Sequence, residues 1–254
     1  MTSALIGSTG FVGSNLARQA AFDVAVHRPD LHQIEGRQLD LVVCAAAPAV
    51  KWKANQEPEA DLANLQALMA TLRTIDASTF VLVSTVDVYG APVEVDESSP
   101  VGQGASAYGR HRRWLEEQCL EHFDDVVVLR LPGLFGPGLK KNVLFDLRRD
   151  QNLHLTNPAS SFQFYDLGGL WDDIGRVRAA GLRLVNLATE PVVVADIARR
   201  CFGVDYPPTD APVVRYDMRT QHAAVLGGSG HYVRSASQVI DAISAWVDEP
   251  ELEA

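Results

Sequence analysis

The chain is poor in the residues that staple small folds or hold metals. It has three cysteines, Cys44, Cys119 and Cys201. An odd number at such wide spacing is neither a disulfide framework nor a ligand set. Its seven histidines are scattered, with no HxxxH or HxH pair, so no metal site is expected. Positive charge is scarce as well: 22 Lys and Arg stand against 32 Asp and Glu, for a net charge of -10. A phosphate backbone needs a basic face, so nucleic acid is excluded as a general partner. No apolar run approaches the roughly 20 residues of a membrane span. The first residues carry no basic segment followed by an apolar stretch and a cleavage site. These absences predict a cytoplasmic protein without membrane association.

What is present is an alternation of strand and helix patterns. Ser3 to Ile6 is a short apolar run stopped by Gly7, and Phe11 to Ala20 is helical in character. A second strand is expected over 23–27. Leu41 to Ala46 is a continuous apolar run, as in a strand covered on both faces. Within it Cys44 reads as a small buried hydrophobe. Leu62, Leu65, Leu68, Met69 and Leu72 form a helical stripe within 58–75. Further strands are expected at 80–84 and 126–131, with a helix over 108–123 between them.

This order predicts an α/β protein of the Rossmann type: a doubly wound parallel sheet with a small carboxyl-terminal substrate lobe. The predicted division is a dinucleotide-binding core over 1–138, completed by a returning strand near 182–187. A lobe and a closing helix fill the rest of 139–254. After Pro137-Gly138 the pattern loosens, and helices are expected only over 193–202 and 235–247.

Gly7, Gly10 and Gly13 are spaced GxxGxxG between a strand and a helix. Glycine permits close backbone approach to a phosphate, and the helix amino terminus adds partial positive charge. The loop residues Gly7, Thr9, Gly10, Phe11, Val12 and Gly13 are therefore expected to bind a dinucleotide. NAD binding commonly uses an acid at the end of the second strand. That place reads Val26-His27-Arg28-Pro29. His27 and Arg28 suit a 2′-phosphate, which tilts the choice between NAD and NADP toward NADP.

In combination these features resemble the extended short-chain dehydrogenases, the NAD-dependent epimerase/dehydratase family. Gly7 to Gly13 has that family's spacing. Asp40 to Ala47 looks like its next strand, with alanines at the cofactor. Asn64 falls where the family often has an Asn in the following helix. Ser84-Thr85-Val86-Asp87-Val88-Tyr89-Gly90 and Arg130 to Gly138 look like its later strand ends.

The resemblance implies cofactor contacts at Ala45, Ala46, Ala47, Ser84, Tyr108, Arg112 and Pro132. It also implies a catalytic Thr85, a catalytic Tyr108 and a cation four residues after the Tyr. Here that cation is Arg112, where the family has Lys. Arg keeps the charge, but its planar fork does not place donors as an ammonium does.

Two functions follow from the resemblance. One is an NAD(P)-dependent epimerase, dehydratase or reductase transferring hydride to and from a sugar or nucleotide sugar. The other is a non-catalytic NAD(P)-binding sensor or partner subunit. The expected substrate is small, sugar-like and anionic, met by Lys140, Lys141, Arg148 and Arg149 or by Arg219. Each of those cations reads equally well as part of a solvated face, and Phe162, Phe164 and Tyr165 read more readily as core. The resemblance also implies a homodimer packed through the 58–75 and 108–123 helices.

Overall fold

The apolar runs of the first half become strands of one parallel sheet. The structure, a computed structural model, describes residues 2–250. In chain order the elements begin β1 (Ser3–Ile6), α1 (Phe11–Gln19), β2 (Val24–Val26), β3 (Gln38–Cys44), α2 (Lys51–Gln56), α3 (Pro58–Leu72) and β4 (Asp76–Thr85). They continue with β5 (Val93–Val95), α4 (Ala107–His122), β6 (Val126–Leu131), β7 (Gly133–Phe135), α5 (Val143–Arg149), β8 (Ser161–Phe162) and β9 (Phe164–Asp166). The last are α6 (Leu170–Ala179), β10 (Leu184–Asn186), β11 (Val192–Val193), α7 (Val194–Cys201), β12 (Asp217–Met218) and α8 (Ala236–Asp248). Among the described residues no helix is long and apolar enough to cross a membrane.

The chain divides into two compact units. The first comprises residues 1–91, 98–130 and 171–185; the second comprises 92–97, 131–170 and 186–254.

In the first unit the sheet runs in the order β10-β6-β4-β3-β1-β2. Parallel pairing sets Leu5 beside Ala25 and Val43, and Val43 beside Val81. Alternation along each strand sends Ala4, Ile6, Val42, Cys44, Phe80, Leu82, Val126 and Val128 to one face. They pack against Leu65, Leu68, Met69 and Leu72 of α3 and Leu115 and Cys119 of α4 in one buried cluster. Each fully buried aliphatic or aromatic side chain here contributes about 1.5–3 kcal/mol. Burial also lifts the Cys44 thiol to about 11, so it stays protonated as a packing residue.

On the β2 side this six-stranded sheet ends one strand earlier than the Rossmann order, which places a further strand beyond β2. Only a 3-10 turn, Arg28–Ile34, lies between β2 and β3. Eleven intervening residues, 27–37, leave no room for a crossover helix and a strand.

The second unit has its own core. Phe135, Leu144, Phe164, Val194, Ile197, Ile240, Ile243 and Trp246 form one buried cluster. Its strands pair in twos: β5 with β12 and β7 with β9 in parallel, β8 with β11 antiparallel.

Residues 139–183 are more regular than their sequence suggests. Asn142 adopts a positive φ and caps α5, its side chain accepting from the amides of Leu144 and Phe145. In α6, Asp172 and Asp173 lie in the first turn and Arg176 and Arg178 in the last, the arrangement that suits the helix dipole.

Candidate active site

The glycine loop leaves β1 and enters α1 beside the end of β3. The amides of Gly7 and Ser8 donate to the Val26 carbonyl at 2.8 and 3.1 Å, and the Gly10 amide donates to the Gly7 carbonyl at 3.0 Å. A Cβ at Gly7 would meet the Ala45 carbonyl oxygen at 2.6 Å, and one at Gly13 would meet the Gly7 oxygen at 2.0 Å. Backbone packing therefore imposes both glycines.

Gly10 differs. Its φ is -72°, and a Cβ there would meet only the Gly7 oxygen at 3.3 Å and the Ala45 oxygen at 3.9 Å. The protein nearly leaves that space open, whereas a pyrophosphate laid on the loop would need it empty. Gly10 is exposed at the start of α1, where no side chain caps the helix. The first-turn amides have no intrahelical acceptor, and the end of the helix dipole favours an anion. The loop fits a dinucleotide on these grounds. Ala45, Ala46 and Ala47 follow β3 directly, and the Ala45 amide donates to the Ile6 carbonyl at 2.8 Å, which sets the alanine run against the loop. Pro132 lies in the second unit, between β6 and β7.

His27 and Arg28 have partners within the first unit. His27 Nδ1 lies 2.9 Å from Asp30 Oδ2, and Arg28 Nη2 donates to the Asn64 backbone and side-chain oxygens at 3.1 and 3.3 Å.

Thr85 ends β4 and caps the 3-10 turn that follows, its Oγ1 accepting from the Asp87 amide at 3.2 Å. Tyr108 lies in the first turn of α4, which Ser106 caps by accepting from the Gly109 amide. Two further contacts fix the entry of α4. The Tyr108 amide donates to Asn55 Oδ1 of α2 at 3.0 Å, and a Cβ at Gly109 would strike the Asp87 carbonyl oxygen at 2.1 Å. The backbone at 109 must be this close, which holds the first turn of α4, and Tyr108 with it, against the turn that Thr85 caps.

Burial pushes the Tyr108 phenol above its ordinary value. The Arg112 charge, the Thr85 hydrogen bond and the Lys51 charge oppose that rise, while Asp87 adds to it. Burial and the Asp87 charge prevail.

Arg112 lies one turn along α4, and its guanidinium carbon sits 4.2 Å over the Tyr108 ring. Its Nη donors are taken by other residues. Nη1 and Nη2 grip the two oxygens of Asp61 in α3 at 2.7 and 3.1 Å, and Nη2 also donates to the Pro48 carbonyl. Its Nε is buried without a partner among the described residues. His111 Nδ1 shares Asp61 Oδ2 at 2.8 Å. Burial opposes ionisation of Asp61, but the bonds to Arg112 and His111 outweigh it and hold the carboxyl below its ordinary value.

Thr85 and Tyr108, both named from the sequence, stand at the end of β4 and in the first turn of α4, which packs on the turn after Thr85. Sequence reasoning missed Asp61 and the pair formed by Lys51 and Asp87, whose Nζ–Oδ1 distance is 2.5 Å. Asp87 was visible inside the strand-end motif, and Lys51 followed the alanine run by a few residues. The spacing of either charge gave no sign of the pairing.

Ser84 turns to a different network, its Oγ donating to Glu116 Oε1 at 2.5 Å. In the second unit two of the candidate substrate cations are engaged. Arg219 pairs with Glu94 and Asp217 at 2.7 and 2.9 Å, and Arg148 stacks 4.5 Å over Trp246. Phe164 and Tyr165 are buried. An open cleft of about 580 Å³ lies at the amino-terminal edge of the sheet, lined by Gln38, Asp40, Asp76 and His122 among others. It holds neither the glycine loop nor Thr85, Tyr108 or Arg112.

A parallel sheet with this loop at the end of its first strand defines a Rossmann-type α/β protein. The sequence model of the NAD dependent epimerase/dehydratase family matches residues 4–154, and the chain belongs to that family. Several solved structures share the fold. UDP-glucose 4-epimerase from Thermotoga maritima, solved with UDP-glucose, aligns with a TM-score of 0.74 and 16% identity over 98% of both chains. RMD from Pseudomonas aeruginosa, complexed with NADPH, gives 0.72 and 18% over 98% of this chain and 100% of that one. The NAD-dependent NDP-hexosamine 5,6-dehydratase TunA gives 0.75 and 18% over all of both chains. No curated protein matches the sequence significantly.

Proposed function

We propose that the chain is an NAD(P)-dependent epimerase, dehydratase or reductase acting on a sugar or nucleotide sugar. The observation that carries this reading is the packing of the Tyr108 turn of α4, where Arg112 stacks on the phenol, against the turn that Thr85 caps at the end of β4, the same edge of the sheet as the glycine loop. When bound, the dinucleotide supplies a hydride acceptor and donor. Gly7, Gly10, Gly13 and the first turn of α1 would hold its pyrophosphate, with Ala45, Ala46 and Ala47 beside it. Tyr108 moves the proton at its hydroxyl, and Thr85 Oγ1 holds the reacting oxygen. Arg112 contributes charge over the ring, since its Nη donors are given to Asp61 and Pro48.

The substrate class is supported by UDP-glucose in the Thermotoga maritima epimerase structure and by the family as a whole. In this reading the second unit recognises the substrate. NAD and NADP both remain within it, as NADPH accompanies one related structure and NAD another. The cytoplasmic setting and a homodimer through α3 and α4 belong to the same proposal.

The alternative, a cofactor-binding sensor or partner subunit, is favoured by one observation: Arg112 is committed to Asp61, while burial pushes the Tyr108 phenol above its ordinary value. Tyr108→Phe separates the two. For the enzyme, turnover of a nucleotide sugar falls on the order of 100-fold or more while cofactor affinity is kept. Turnover that survives the change removes Tyr108 from the mechanism. Titrating NAD and NADP against the native protein and Gly10→Val tests the loop. If neither dinucleotide binds the native protein at micromolar concentration, the cofactor reading fails. Selective loss of NADP affinity in Arg28→Ala would identify the preferred form.

A further inference from the structure

Two cation–carboxylate pairs flank Tyr108. Arg112 and Asp61 sit over the ring face, with His111 on the same carboxylate. The second pair comes from other elements. Asp87 follows Thr85 in the 3-10 turn, its carbonyl oxygen lies against Gly109, the residue after Tyr108, and its Oδ2 lies 3.5 Å from Thr85 Oγ1. Its other carboxylate oxygen receives Lys51 Nζ at 2.5 Å. Lys51 begins α2, and Asn55 of the same helix accepts from the Tyr108 amide, so α2 is tied both to the phenol's backbone and to the carboxylate beside it.

We propose that Lys51 is a positioning residue for Tyr108: its ion pair neutralises the Asp87 carboxylate, which would otherwise repel the phenolate. The charges facing the phenol are Arg112 from its own helix, Asp87 from the turn after β4 and Lys51 from α2, with Asp61 of α3 and His111 behind Arg112. Asp87 and Lys51 act on the phenol with opposite sign. Asp87 is mostly buried while Lys51 is half exposed, so the carboxylate is the less screened of the two. Removing the lysine leaves a bare negative charge next to a group that must itself become negative. The lysine thus keeps Tyr108 usable as an acid–base group in a chain whose Arg112 gives its Nη donors to Asp61 and Pro48.

The proposal rests on Tyr108 as the proton-moving residue, but its test does not need turnover. 3-Fluorotyrosine incorporated at position 108 reports its own titration by fluorine NMR in the cofactor-free protein. Lys51→Met should raise the midpoint by about half a pH unit or more. Lys51→Arg should restore it, and Lys51→Met combined with Asp87→Asn should return it toward the parent value. A midpoint unmoved in Lys51→Met overturns the proposal. So does a double variant that titrates like Lys51→Met alone, because the carboxylate then has no part in the effect. Either result leaves Tyr108→Phe to judge the functional reading on its own terms. If turnover is measurable, the basic limb of its pH profile should move with the fluorine midpoint, which a merely structural role for Lys51 would leave in place.

Discussion

The first unit contains two buried arginine–carboxylate pairs, both involving α4, and they differ in how completely they are satisfied. Arg130 of β6 gives Nε and Nη2 to Glu116 at 3.0 and 2.7 Å and Nη1 to the Tyr89 hydroxyl at 2.8 Å. Glu116 also receives Ser84 and Arg113. Arg112 has a similar bidentate grip on Asp61, yet its Nε is buried without a partner and its flat face lies on Tyr108. A charge taken out of water is costly unless every donor is used, so the saturated pair reads as scaffold. The incomplete pair tolerates an unmet donor where it touches the candidate catalytic side chain, as expected where local consistency gives way to function.

The largest effect should come from the saturated pair. Arg130→Met strands Glu116, fully buried, with Ser84 and the half-buried Arg113 as its remaining partners. Denaturant unfolding should show a loss of about 3–5 kcal/mol. Removing both charges with Glu116→Leu in the same chain should cost less than Arg130→Met alone; a larger cost would mean that the pair stabilises beyond its desolvation penalty.

Asp61→Asn comes next, at about 2 kcal/mol, because Arg112 keeps the Pro48 carbonyl and the Tyr108 ring. This loss depends on pH. The folded protein holds the Asp61 carboxyl below its ordinary 3.8, so its ionisation stabilises the fold fully above that value. The contribution fades as the pH falls through the lowered folded value. The gap between parent and Asp61→Asn should therefore be widest near neutrality and close in acid. A gap that widens in acid would reverse the assignment.

Arg113→Ala should be the smallest, about 0.3–0.5 kcal/mol by the same unfolding measurement. It pairs with Glu116 and Glu117 from a half-exposed position, and Glu116 keeps Arg130. A loss approaching that of Arg130→Met would show that Glu116 depends on both arginines equally.

The sequence makes much of the first unit legible. Val126–Leu131 has the bounds its apolar run predicts, and α3 follows its leucine stripe until the turn at Thr74 and Ile75. The missing strand beyond β2 follows from counting residues. In the second unit, β8, β11 and β12 have two residues each and owe their existence to distant partners, which no local pattern reveals. The helix α6 did carry a readable stripe in Leu170, Ile174 and Val177, obscured by the glycines before it. The candidate site divides the same way. Thr85 and Tyr108 lie in local motifs, whereas Lys51 meets Asp87 across 36 residues and Arg112 meets Asp61 across 51. Pairings of that range are set by how α2, α3 and α4 pack.

The early end of the sheet bears on how the protein behaves in a crowded solution. An open sheet offers its outermost backbone groups to any passing strand and so invites aggregation. Here both border strands, β2 and β10, are three residues long. Asp23 precedes β2, and Arg28 and Pro29 follow it closely, so charge and a missing amide hem in the exposed template. A sheet cut short in this way gives another chain little length on which to add a strand.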